Sequence, residues 1–195
     1  MSKTTFITAG DAFVTRRLPE GGYEGFAELQ ACIRQHDVRF LNLESTFHDY
    51  EGYPAVQSGG TWARSDHRTL DDIRQYGFNI FTTANNHSGD YGEGGVLATI
   101  RHLQERDMIF SGTGKDLAEA SKPCYLETKN ARVALISVTA TIDDPHRAGA
   151  HNRRYDFDET IMQNAVKVFC ATVYDILKQH QKKPHACGSF FFKFQ

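Results

Sequence analysis

Short apolar runs rich in β-branched and aromatic residues recur along the chain at Phe6 to Thr8, Val38 to Leu43, Phe78 to Thr83, Met108 to Phe110 and Val133 to Val138. Each has the length and residue choice of a strand. Between them the apolar positions change to helical spacing: Phe26, Leu29 and Ile33, then Leu70, Ile73 and Tyr76, then Val96, Ile100 and Leu103. Strand and helix therefore alternate. A parallel crossover needs a connection long enough to hold a helix, so the alternation predicts an α/β fold with a mainly parallel sheet flanked by helices.

A further apolar stripe, Ile161, Ala165, Val168, Phe169, Thr172 and Ile176, predicts a long helix from about Asp158 to Gln181. Beyond Pro184 the chain ends in the Phe-rich stretch Ser189 to Gln195. Such a terminus is expected to pack as an edge strand or to be covered by a second copy or a partner chain. The polar, aperiodic stretch from Asp49 to Asp66 predicts a long loop of the kind that contributes to sites.

Composition narrows the function classes. With 195 residues, 40% hydrophobic and 24% charged, the chain has the makeup of a protein that buries a core, and one domain, 1–195, is the expectation. Lys+Arg 22 against Asp+Glu 24 gives a net charge of -2, which disfavours a nucleic-acid partner. No apolar run reaches the ~20 residues of a membrane helix, and the N-terminus lacks the apolar region of a signal peptide, so a cytoplasmic location is expected. Cys32, Cys124, Cys170 and Cys187 form no CxxC pair and are expected to be reduced, mostly buried thiols.

Candidate chemistry gathers at the strand ends. Gly10-Asp11 follows the first strand, Asn42-Leu43-Glu44 closes the second, and Asn85-Asn86-His87 with Asp90 follows the third. In a parallel sheet these ends share one edge, where ligands of open α/β folds bind. Asp11, Glu44, Asn86 and His87 offer the hard oxygen and nitrogen donors that suit Mg, Mn, Fe or Zn. Taken singly, each residue also reads as ordinary cap, turn or surface chemistry. Asp90, three residues after His87, would hold its tautomer. Arg64, in the long loop, would clamp an anionic substrate or else lie as a surface arginine.

Other signals are weaker. Gly112-Thr113-Gly114-Lys115-Asp116 lacks the spacing and the Ser or Thr of a phosphate loop. Gly92, Gly94 and Gly95 open a predicted helix and would cradle an anion there. Asp143, Asp144, His146 and His151 make a second polar cluster, which reads as a solvated loop with a supporting metal or substrate role as the minority reading.

Together, Thr8-Ala9-Gly10-Asp11, Asn42-Leu43-Glu44, Thr83-Ala84-Asn85-Asn86-His87 with Asp90 and Gly92, Gly112-Thr113-Gly114, and Glu119 to Pro123 before Val133 to Ile136 resemble the capsule-synthesis CapA family. That family is linked to poly-gamma-glutamate biosynthesis and is similar to the calcineurin-like metallophosphoesterases. The resemblance covers roughly Thr5 to Thr141 and implies the N-terminal half of an αββα sandwich. It further implies that Asp11, Glu44 and Asn86 are ligands of a divalent metal, that His87 is the acid or phosphate-stabilising group, and that Asp90 is its orienting partner. The implied chemistry is metal-dependent hydrolysis of a phosphoester, or the handling of an anionic gamma-glutamyl polymer. The family's later His-Trp-Gly-like and Gly-His-His-Pro-His-like motifs have no counterpart here, since His146, His151, His180 and His185 lack the matching neighbours. The domain is therefore expected to be incomplete at its C-terminus, and a catalytically incomplete binding protein of the same fold is the competing expectation.

Overall fold

A computed structural model of the chain describes residues 3–56 and 61–139. All of these fall in one compact unit, Met1–Pro145; a second unit, His146–Gln195, lies outside the described residues. The helix expected from Asp158 to Gln181, the Phe-rich terminus, the polar cluster at Asp143 to His151, and Cys170 and Cys187 are outside them too.

Four strands form a parallel sheet in the spatial order β1-β2-β5-β6: β1 Phe6–Asp11, β2 Val38–Asn42, β5 Ile80–Thr82 and β6 Phe110–Ser111. Helices α1 (Phe26–Arg34), α2 (Thr69–Tyr76) and α3 (Gly92–Gln104) fall between successive sheet strands. The α/β reading of the sequence therefore holds. Period-2 alternation divides the sheet's apolar residues between its two faces. Leu41 and Phe81 join Leu43, Phe47, Leu70, Ile73, Leu103 and Met108 in one core, which binds α2 and α3 to the sheet. Val38 and Ile80 belong to a second core, where Leu126, Cys124, Val133 and Leu135 cover them. Truncating the fully buried Phe47 to alanine would cost about 3–5 kcal/mol.

Four features differ from the sequence expectation. The fifth apolar run forms β8 (Arg132–Leu135), which pairs antiparallel with β7 (Cys124–Glu127) in a separate hairpin instead of extending the sheet. The loop expected from Asp49 to Asp66 contains a strand, β4 (Arg64–Ser65), paired in parallel with β3 (Thr46–Phe47). A short helix, α4 (Leu117–Ala120), is capped by Asp116, whose carboxylate accepts from the Glu119 N–H. Cys32 is exposed, against the expectation of a buried thiol, while Cys124 is half-buried.

β1 is an outer strand of the sheet and is mostly exposed, in contrast to β2 and β5. Beside it, Ile7, Ala9, Val14, Leu29, Ile33 and Ile73 line an apolar cavity of about 480 Å³. No helix among the described residues is long and apolar enough to cross a membrane.

Candidate functional site

The parallel register sets the site. Asp11 is the backbone partner of Asn42, and Asn42 is the partner of Thr82, so the C-terminal ends of β1, β2 and β5 lie side by side. Glu44 continues this edge, its N–H donating to the Ala12 carbonyl at 3.3 Å.

A chain of hydrogen bonds crosses the three strand ends. The Asn42 side-chain amide donates to Asp11 Oδ1 at 2.7 Å, and the Asn85 amide donates to Asn42 Oδ1 at 3.1 Å and to the Leu43 carbonyl at 2.8 Å. Asn85 Oδ1 in turn accepts from the His87 N–H at 3.0 Å. His87 Nδ1 meets Asp90 Oδ2 at 2.8 Å, and the same oxygen accepts from the Ala63 N–H at 2.6 Å. Because a carboxylate accepts, the imidazole proton sits on Nδ1 and Nε2 is left for chemistry. His87 and Asp90 are 7% and 3% exposed, and the Phe13 ring packs T-shaped against the imidazole at 5.6 Å between centroids.

The expected metal ligands are in a different state. Asp11 and Asn86 are exposed and Glu44 is half-buried, in contrast to the buried His87–Asp90 pair. Their carboxylate and amide oxygens suit a hard divalent cation in kind. Together they supply two carboxylates and one amide oxygen, while among the described residues no group of three or more His, Cys, Asp or Glu is placed to hold a metal ion.

Arg64 is half-buried and committed to its own loop. It donates to the His48 carbonyl at 2.9 Å and to the Tyr50 hydroxyl at 3.0 Å, with its guanidinium 3.8 Å above the Tyr50 ring. The glycines at the start of α3 serve packing. A Cβ on Gly52 would stand 2.1 Å from the Tyr91 carbonyl oxygen, and one on Gly94 would stand 2.6 Å from that of Glu51, so two backbones lie directly on each other there.

Two parts of this arrangement carried no role in the sequence reading. Asn42 and Asn85 were visible within their motifs, but nothing marked them as the links between strands. His48 is fully buried, with Nε2 against the Thr46 hydroxyl at 3.0 Å and Nδ1 lacking a hydrogen-bond partner. Burial pushes its pKa below the ordinary histidine value, although the Glu51 carboxylate nearby pulls the other way. Glu51 itself is anchored by Arg101 of α3 at 2.5 Å.

Comparison with known proteins gives these residues a context. The family model of the bacterial capsule synthesis protein PGA_cap matches residues 5–182. The chain is 37% identical over 147 residues to each of two uncharacterized proteins of Sinorhizobium fredii, y4sH and y4uA, covering 74% of this chain and 32% of each relative. It is 31% identical over 144 residues to the capsule biosynthesis protein CapA of Bacillus anthracis, covering 70% of this chain and 35% of that protein. The chain thus spans about a third of the length of these curated relatives.

Proposed function

The chain belongs to the bacterial capsule synthesis PGA_cap family, and from that premise we propose that it carries the acid-base half of a metal-dependent hydrolase site of the metallophosphoesterase type. One observation supports this reading above the others: the hydrogen-bonded run from Asp11 through Asn42 and Asn85 to the buried His87–Asp90 pair, assembled where parallel sheets bind ligands.

In this reading Asp90 holds the proton on His87 Nδ1. With a second proton on Nε2, the imidazolium that the Asp90 carboxylate stabilises would donate that proton to the leaving oxygen, or stabilise its charge, and return to the Nδ1–H tautomer, a contribution worth roughly a hundred-fold or more in rate. Burial of the pair keeps water from competing for the imidazole. Asp11, Glu44 and Asn86 would hold a divalent cation, Mn, Mg, Fe or Zn, which when bound would supply Lewis-acid polarisation of the scissile group. Arg64 has further guanidinium donors for an anionic substrate, either a phosphoester or a gamma-glutamyl polymer.

A second reading, a binding protein of the same fold without turnover, is favoured by Asp11 Oδ1, which already accepts from the Asn42 amide. The two readings separate in one experiment on the purified chain. Manganese is counted by mass spectrometry, and p-nitrophenyl phosphate turnover is measured with added Mn, in the wild type and in Asn86→Ala. The hydrolase reading expects stoichiometric metal and turnover, both lost in the variant. A folded wild-type chain that binds metal without turnover supports the binding protein, and one that neither binds nor turns over sinks the metal site.

A further inference from the structure

We propose that the backbone N–H of Ala63 is a positioning group for the His87–Asp90 pair, so that the residue just before β4 sets the geometry of the acid; the inference rests on the hydrolase reading and deepens it. Three observations carry it. First, Asp90 Oδ2 accepts from both His87 Nδ1 at 2.8 Å and Ala63 N at 2.6 Å, so one oxygen serves the imidazole and the distant backbone together. Second, Ala63 is held independently of Asp90: its carbonyl accepts from the Thr46 N–H at 3.0 Å and from the Thr46 hydroxyl at 2.8 Å, and the residue is fully buried. A donor fixed from behind by β3 orients the carboxylate, whereas a donor on a free loop would follow it. Third, the preceding stretch grips the backbone of Asp90 as well. The Ala55 N–H donates to the Asp90 carbonyl at 2.8 Å, and the Trp62 indole donates to the Ala55 carbonyl at 2.9 Å.

The chemical consequence is directional. With its Oδ2 pinned by Ala63, the Asp90 carboxylate cannot swing away from His87, so the ring keeps its Nδ1–H and one orientation whether or not Nε2 carries a proton. Loss of this single donor removes a hydrogen bond to a charged acceptor without removing any side chain.

The test is an amide-to-ester exchange at residue 63, with lactic acid in place of Ala63, which deletes the N–H and keeps the methyl group and the chain's shape. The control, Ala63→Gly, keeps the N–H. The ester is expected to lower kcat for p-nitrophenyl phosphate about tenfold with KM unchanged, while Ala63→Gly stays near wild type. Combined with Asp90→Ala, the ester should cost nothing further. The His87 Nδ1–H proton resonance should be sharp in the wild-type chain and broadened or lost in the ester. Equal losses with and without Asp90, or an unaltered resonance, would overturn the proposal by reducing the N–H to a structural contact. A wild type with no turnover would sink the hydrolase reading instead, and the resonance would still decide the role of Ala63.

Discussion

The two halves of the candidate site are built to different standards. His87 and Asp90 are buried, paired at 2.8 Å and gripped by the Ala63 N–H from 27 residues away in sequence. Asp11 and Asn86 are exposed, and their positions follow from the backbone register and from one amide contact at Asp11. A group that must hand over a proton in one direction gains from preorganisation. A ligand to a hydrated cation needs access, and its final geometry comes with the ion.

That contrast makes sharp predictions. Breaking the buried half should be costly twice over: Asp90→Ala leaves the Ala63 N–H and the His87 Nδ1–H without an acceptor, and we expect a loss of about 3 kcal/mol in urea unfolding together with roughly a hundred-fold in turnover. Asn85→Ala should come next, at about 2 kcal/mol by the same measurement, since it frees the β5 end from β2 and unties the His87 N–H. A smaller effect is expected from acid. His48 is held neutral by burial, with its folded pKa below the unfolded value, so its contribution is full above about pH 6.5 and is lost as pH falls through that lower value. The urea midpoint should therefore fall between pH 7 and pH 5, and less so in His48→Gln. The exposed half should be nearly silent in stability: Asp11→Ala and Asn86→Ala are expected within about 0.5 kcal/mol of wild type, yet to abolish manganese binding. Equal stability losses in the two halves would erase the distinction.

The sequence carries the sheet and the helices plainly, because repeated apolar positions at spacings of two and of three to four leave a signature that packing then enforces. Leu41 and Phe81, read as strand residues, and Leu70, Ile73 and Leu103, read as helix residues, all enter one core. β4, of two residues, leaves no such signature and falls inside the stretch from Asp49 to Asp66 that reads as a loop, and β3 has no apolar alternation to mark it. The sequence marks β8 as a strand, but its apolar alternation is silent about which strand it pairs with. In the site, the motif residues were legible as side chains. The partners that organise them were not, since the Ala63 N–H belongs to the backbone and any residue but proline presents one. Arg64 was legible as a cation, but its stacking on Tyr50 depends on a turn that no spacing predicts.

The contact between Gly52 and the start of α3 has its own consequence. With 2.1 Å between a would-be Cβ and the Tyr91 carbonyl oxygen, this position tolerates no side chain, although it bears no chemistry itself. The backbone it fits against leads directly into Asp90, and the stretch that follows Gly52 bonds to Asp90 through Ala55. A single added methyl there, remote from any reacting atom, would wedge the two backbones apart and be felt at the acid, so a genetic screen for lost function should find Gly52 as readily as His87.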